Sequence, residues 1–198
     1  MKPEYDAVIV GAGVAGCMAA AALGIRGSGL RTLLIDRNPR TEVGKKTTLG
    51  WICGDAVGEH HAKFVYDELG ITFGQPEIEN HVDVVVVCSP DMKLSHPFEG
   101  SGYVLDRPKF GRRLLNEALK TGIEYRDLTQ AVDLLTQESF VGGVVCQDLR
   151  EKKARSYNVT SKLVIDASGM STKLRRNLRI PSLIEKEIHR DDIEPTIR

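Results

Sequence analysis

The sequence predicts an α/β protein of Rossmann-like build with a β-rich segment inserted into it, and three observations lead there. Residues 5–36 read apolar strand, glycine turn, alanine-rich helix, second apolar strand, acid. A further apolar strand, Leu163-Val164-Ile165-Asp166, runs into Ala167-Ser168-Gly169-Met170-Ser171 just before a basic helix. Between them lie β-branched runs, of which residues 82–88 are the clearest.

The first stretch organises the rest. Asp6-Ala7-Val8-Ile9-Val10 ends at Gly11-Ala12-Gly13-Val14-Ala15-Gly16, a full G-x-G-x-x-G. A helix over residues 14–25 follows, and its alanines let it pack flat on a sheet. Thr32-Leu33-Leu34-Ile35 is the next strand, closed by Asp36. In a dinucleotide site Gly11 permits the tight turn, Gly13 lets a pyrophosphate approach the backbone, and Gly16 lets helix and strand pack closely. The helix dipole and its unpaired N–H groups face the phosphates. Asp36, twenty residues after Gly16, is spaced to accept hydrogen bonds from an adenosine ribose. A carboxylate there repels a 2′-phosphate, which favours FAD or NAD over NADP. A lone glycine fingerprint is weak evidence; one that follows a strand, opens a helix and is answered by an acid at this distance is specific.

Bulk composition narrows the partners. Lys plus Arg and Asp plus Glu are 27 each in 198 residues, so no net field draws the chain to nucleic acid or an anionic membrane. Hydrophobic residues at 41 % and charged residues at 27 % are ordinary for a globular chain. Cys17, Cys53, Cys88 and Cys146 form no C-x-x-C pair and no secretory signal precedes the first strand, which points to a reducing, cytoplasmic setting. No apolar run approaches the roughly 20 residues that span a bilayer, so any membrane contact is peripheral.

After Asp36, Arg37-Asn38-Pro39-Arg40 breaks the strand and residues 41–50 read as a polar loop. Residues 50–61 hold the only tryptophan, Trp51, with Cys53, Gly54, Asp55, Ala56 and the pair His60-His61. Glycines there let a backbone lie against a flat ring system. Cys53 reads equally as a small apolar filler and as a thiol presented to whatever packs on it. The histidines read as a solvated helix start, and no metal site is expected. A short helix over residues 61–69 closes at Gly70; residues 82–88 form a strand, turned by Ser89-Pro90-Asp91, with residues 92–96 returning and 103–105 as a separate short strand. Asp106-Arg107-Pro108 starts a helix whose apolar face is Phe110, Leu114, Leu115, Ala118 and Leu119. Residues 123–125, 130–135, 141–149 and 156–160 follow as strands, the last two as a hairpin, then 163–166 as a separate buried strand. The turn after Asp166 is a second phosphate-compatible turn or a tight connection. Charged text from Pro181 onwards reads as an interrupted chain.

Taken in order, the glycine fingerprint, Asp36-Arg37, Cys53-Gly54-Asp55-Ala56, residues 103–110 (Tyr-Val-Leu-Asp-Arg-Pro-Lys-Phe) and residues 164–169 (Val-Ile-Asp-Ala-Ser-Gly) resemble the geranylgeranyl reductase family of flavoproteins, related to FAD folds of the glutathione reductase and aromatic hydroxylase type. The resemblance covers almost the whole chain, and the cysteine block followed by the D-R-x-x-F helix start is its most specific part. It implies an FAD-binding domain over residues 1–180, with a substrate segment inserted at roughly 75–105, and the beginning of a substrate domain at 181–198. It implies FAD held non-covalently: Gly11, Gly13 and Gly16 at the phosphates, Ala15 and Asp36 at the adenosine half, Arg37 as a further cofactor-binding residue, Ala131 over the adenine, Cys53, Gly54 and Ala56 near the isoalloxazine, Arg107 at the phosphates or flavin side, with Asp166 and Gly169 at the second turn. The implied activity is reduction of isolated C=C bonds in isoprenoid chains of archaeal-type membrane lipids, with NAD(P)H or ferredoxin as electron donor. Cys53 is the expected proton donor or redox thiol and Asp55 a second acid.

Two departures qualify it. Family chains run about twice this length, and a second Gly-Asp motif expected late in the chain is not found after Gly169. An FAD monooxygenase or halogenase, a flavoprotein dehydrogenase passing electrons to quinone, and a truncated dinucleotide-binding module with no activity of its own are the competing readings.

Overall fold

The computed structural model describes residues 3–43, 55–151, 155–169, 173–185, 189 and 191. In chain order the elements are β1 (Tyr5–Val10), α1 (Val14–Arg26), β2 (Thr32–Ile35), a 3₁₀ turn (Arg40–Glu42), β3 (Ala56–Gly58), α2 (Glu59–Leu69), β4 (Ile78–Cys88), β5 (Ser95–Leu105), α3 (Arg107–Lys120), β6 (Glu124–Arg126), β7 (Thr129–Gln137), β8 (Phe140–Asp148), β9 (Ser156–Asp166) and α4 (Lys173–Arg176). They form two compact units, residues 1–43 with 114–198, and residues 44–113. The segment expected at 75–105 falls inside the second unit, and most of residues 186–198 lie outside the described residues.

In the first unit the strand order is β6-β2-β1-β9-β8-β7. β6, β2, β1 and the second half of β9 run parallel; β7, β8 and the first half of β9 form an antiparallel meander. Val8, Ile9, Leu33, Leu34 and Ile35 are fully buried, which is why β1 and β2 read as unbroken apolar runs rather than alternating ones. α1 packs on β1 and β2 through Cys17, Ala20 and Ala21. The alternate side chains, Val8, Val10, Leu33 and Ile35, share a cluster with Val144, Cys146, Val159 and Leu174, so the meander and α4 pack against the sheet.

β9 departs from the expected two strands. Its residues 156–160 pair antiparallel with β8, and from Ser161 to Asp166 it pairs parallel with β1. Ser161-Lys162 breaks the apolar pattern, but Ser161 is buried opposite Tyr5 and the backbone continues through it. Leu163, expected to be buried, is 49 % exposed, because residues alternate faces along a strand.

In the second unit the sheet order is β3-β5-β4, all antiparallel. β5 is one strand where two were expected. It carries Pro97 opposite Val86, in a part of the strand that has no second neighbour in this sheet, so the missing N–H costs no ladder bond. Asp106 caps α3, accepting the Lys109 N–H at 3.0 Å. The Lys109 ammonium, then that backbone bond, hold the Asp106 carboxyl below the usual carboxylate range. A lowered native value gives a contribution that is present above the ordinary carboxylate range and is lost as pH falls through the lowered one. Asp106→Ala is therefore expected to cost about 1 kcal/mol at neutral pH, with the difference from the parent shrinking under acid in urea titrations.

Val84, Val85, Val86 and Val87 are all roughly half exposed, as is Phe98 on β5. Both faces of this hairpin are therefore apolar and open, and β4 is the sheet's edge strand. Long apolar edges pair with other chains. The double change Val85→Lys with Val87→Lys is expected to raise the monodisperse fraction in light scattering without altering the melting temperature.

Candidate dinucleotide site

β1 turns out of the sheet at Gly11, whose φ is +103°. A Cβ there would lie 2.4 Å from the carbonyl oxygen of Ala167, in the turn after β9. At Gly16 a Cβ would lie 1.7 Å from the Gly11 carbonyl oxygen. Both neighbours are backbone, so no rotamer relieves the contact. The two bare positions bring the β1 turn, the first turn of α1 and the β9 turn into one cradle. Gly11 N–H donates to Ile35 O at 2.8 Å, and Ala167 N–H to Val10 O at 2.9 Å, tying all three strand ends together.

α1 opens at Gly13 with no side-chain cap and no acid in its first turn. Its leading amides have no intrahelical acceptor, and no side-chain cap or first-turn acid offsets the positive end of the dipole. A pyrophosphate supplies both the acceptors and the charge, so these residues fit a dinucleotide. Asp36 stands at the end of β2. Its Oδ2 accepts the Ala12 N–H at 2.6 Å and its Oδ1 the Asn38 N–H at 2.7 Å. A carboxylate offers about four lone-pair sites, so capacity remains for ribose hydroxyls. Sequence reasoning gave the acid but missed its bond to the fingerprint, which joins the end of β2 to the β1 turn through one side chain.

The other expected residues fall as follows. Ala15 is exposed on the first turn of α1, and Arg37 is half buried after Asp36. Ala131 is half buried on β7, opposite Cys146 and against the core cluster. Asp166 ends β9 and its Oδ1 accepts the Ser168 N–H at 3.0 Å. Gly169 has φ +73°, and among the described residues nothing lies within 4 Å of its Cβ position.

The second unit holds the remaining candidates. Cys53 and Gly54, with Trp51, lie outside the described residues. Ala56 is exposed on β3, paired with Val104. Asp55 is buried with a left-handed φ of 56°, and its carbonyl accepts the Leu105 N–H at 2.7 Å. Its Oδ1 lies 3.6 Å from Nε of Arg107, the two side chains being 7 % and 13 % exposed. The carboxylate read as a second acid is thus packed beside the guanidinium read as a flavin or phosphate contact.

The other reactive groups are not among the expected site residues. The Cys17 thiol donates to Ala12 O at 3.3 Å and is pushed up to about 12 by burial and by Asp36; burial pushes Cys146 up to about 11. Cys88 is exposed. In a Cys53→Ala background, a thiol reagent at pH 8 is expected to label Cys88 within minutes and Cys17 and Cys146 only after unfolding, read by peptide mass. Ser101, His81 and Asp83 have the connectivity of a hydrolytic triad, His81 Nε2 lying 2.8 Å from Ser101 Oγ and Nδ1 3.1 Å from Asp83 Oδ1. The serine hydroxyl, however, donates to Glu59. His81 must then donate to Ser101 rather than accept its proton, the reverse of nucleophile activation. His60 and His61 are exposed on α2 with ring centroids 3.8 Å apart, and among the described residues no group of three or more His, Cys, Asp or Glu could hold a metal ion. No helix among the described residues is long and apolar enough to cross a membrane.

The FAD-dependent oxidoreductase family matches residues 6–172, a span that takes in the cradle, Asp36 and the β9 turn. The chain belongs to that family. The chain is 33 % identical over 98 % of its length to the digeranylgeranylglycerophospholipid reductase of Sulfolobus acidocaldarius. It is 33 % identical over 89 % of its length to digeranylgeranylglycerophospholipid reductase 2 of Methanococcoides burtonii, and it spans 40 % of each relative. A geranylgeranyl bacteriochlorophyll reductase-like protein from Thermoplasma acidophilum superposes with a TM-score of 0.74 at 26 % identity, covering 91 % of this chain and 43 % of that one. A flavin-dependent brominase superposes at 0.65 with 23 % identity, over 87 % of this chain and 40 % of the other, which shows the shared fold alone. The architecture is the Rossmann-like FAD-binding fold that the sequence predicts.

Proposed function

We propose that the full-length protein is a reductase that saturates isolated C=C bonds of geranylgeranyl chains in archaeal-type membrane lipids. The observation that carries this reading is the likeness to two digeranylgeranylglycerophospholipid reductases along nearly the whole chain, at a site whose bare cradle fits a dinucleotide. Bound FAD supplies the hydride chemistry. Gly11, Gly13 and Gly16 hold its pyrophosphate, Ala15 and Asp36 the adenosine half, with Arg37 next to Asp36, and Ala131 the adenine, with the Asp166 to Gly169 turn as the second phosphate wall. Arg107, packed against Asp55, serves the phosphates or flavin side; Cys53, Gly54 and Ala56 line the ring.

An isolated alkene has no carbonyl to polarise it. Hydride arriving at one carbon must be matched by a proton at the other, and water must be excluded for the pair to be productive. Cys53 is the residue proposed to deliver that proton or to act as a redox thiol, with Asp55 as the second acid of the same segment. NAD(P)H or ferredoxin is the proposed donor, and the lipid substrate is met from the membrane surface.

The test is purified full-length protein, reduced anaerobically and given digeranylgeranylglycerophospholipid. Yellow protein and a product heavier by two hydrogens per saturated bond are expected; colourless protein with no affinity for FAD would end the proposal. Cys53→Ala is expected to keep FAD but slow alkene reduction by about 10²-fold or more, and unchanged turnover would remove the cysteine from the mechanism. Oxygen consumption with a hydroxylated or halogenated product would favour the monooxygenase reading.

A further inference from the structure

Beyond the end of β2, residues 36–40 are laced to residues 126–129. Asp36 N–H donates to Arg126 O at 3.0 Å, Thr129 N–H to Asp36 O at 2.8 Å and Leu128 N–H to Asn38 O at 3.3 Å. One side chain takes part in this lacing. Asp127 Oδ2 accepts the Arg40 N–H at 2.7 Å, while its Oδ1 accepts from the Arg150 guanidinium, which also reaches Asp148 at 3.2 Å. The Asp127 carboxylate thus ties three segments: the loop after β2, the β6 to β7 turn and the turn after β8. Leu128, next to it, has a φ of +47°, a conformation leucine adopts only when its surroundings fix it. The buried Tyr125 hydroxyl is raised above its usual range by burial, then by Asp36 and Asp127, so both carboxylates bear on one spot.

We propose that Asp127 is a positioning residue of the nucleotide site, holding residues 38–40 so that Asp36 meets an adenosine ribose in one orientation and rejects a 2′-phosphate there. This rests on the dinucleotide reading of residues 11–36. The decisive bond is to a backbone N–H, which permits a test by deleting a single hydrogen. Arg40 opens the 3₁₀ turn and follows Pro39, whose ψ of 150° is the extended geometry favoured before a proline. Arg40→Pro is therefore compatible with the local backbone and removes the donor; Arg40→Ala removes the side chain and keeps it.

The experiment is calorimetry of the full-length apoprotein with ADP-ribose and with 2′-phospho-ADP-ribose. The parent is expected to favour ADP-ribose by about tenfold or more. Asp127→Ala and Arg40→Pro are each expected to weaken ADP-ribose binding by about tenfold and to erase most of that preference. Arg40→Ala is expected to retain the preference, and Asp127→Asn, which keeps an acceptor oxygen, to restore much of it. Preference intact in both Asp127→Ala and Arg40→Pro overturns the proposal. Should Asp127→Ala fail to fold, the comparison of Arg40→Pro with Arg40→Ala decides alone, equal behaviour of the two counting against it. A parent that binds neither ligand refutes the dinucleotide reading itself, and this inference falls with it.

Discussion

Gly16→Ala is expected to yield a protein that retains no flavin and has lost about 3 kcal/mol or more of stability. One methyl group would sit 1.7 Å from the Gly11 carbonyl oxygen and 2.9 Å from its carbon. Neither can swing away, because Gly11 is itself held by its bond to Ile35 and faces the Ala167 carbonyl. Relief requires α1 to lift from the turn, which moves the helix amides away from the phosphates they are proposed to bind. Gly74→Ala is the matched control: nothing lies within 4 Å of its Cβ position, so stability and flavin content should be those of the parent. Urea titration and the visible absorbance of the purified variants measure both. Flavin retained by Gly16→Ala at the parent's level would mean that the helix is not seated as described.

Asp55→Ala is expected to cost about 3–5 kcal/mol, because it leaves the buried Arg107 cation without the carboxylate packed beside it. Alanine also suits the left-handed φ of 56° less well than aspartate. Asp55→Asn keeps a side chain at ease in that conformation and should fall between the two. Replacing Asp55 and Arg107 together by Asn and Met should be milder than Asp55→Ala alone, since removing one member of a buried ion pair costs more than replacing both. Urea denaturation of the parent and the three variants measures these differences. A loss within about 0.5 kcal/mol of the parent for Asp55→Ala would show that the pair holds nothing together.

Much of the first unit was legible because its signals are local. A strand former run, three glycines at fixed spacing and a small-residue helix fit within residues 5–36, and the predicted β2 matches residue for residue. Exposure was harder to read. Residues 82–88 form a strand as expected, but their valines face outward, since β-branched side chains favour extended backbone whether or not anything covers them. β5 and β9 were each read as two pieces because Pro97, Gly100 and Gly102, or Ser161 and Lys162, weaken the local pattern; pairing with a long neighbour carries the strand across. Within the site, Asp36 announced itself by spacing. Asp127 did not: it sits in a turn far along the chain, and only folding shows that its carboxylate reaches the Arg40 amide. The Asp55 to Arg107 pair was hidden in the same way, each residue having been read by itself.

β1 takes β9 as a neighbour, so one side of the strand at residues 5–10 stays unpaired until residues 161–166 reach it. Until then its edge is bare, and the Ala167 carbonyl that walls the cradle does not yet exist in place. Such long-separated pairing forms slowly. The fingerprint by itself is therefore half a cradle: its second wall stands only once the sheet has closed around β1.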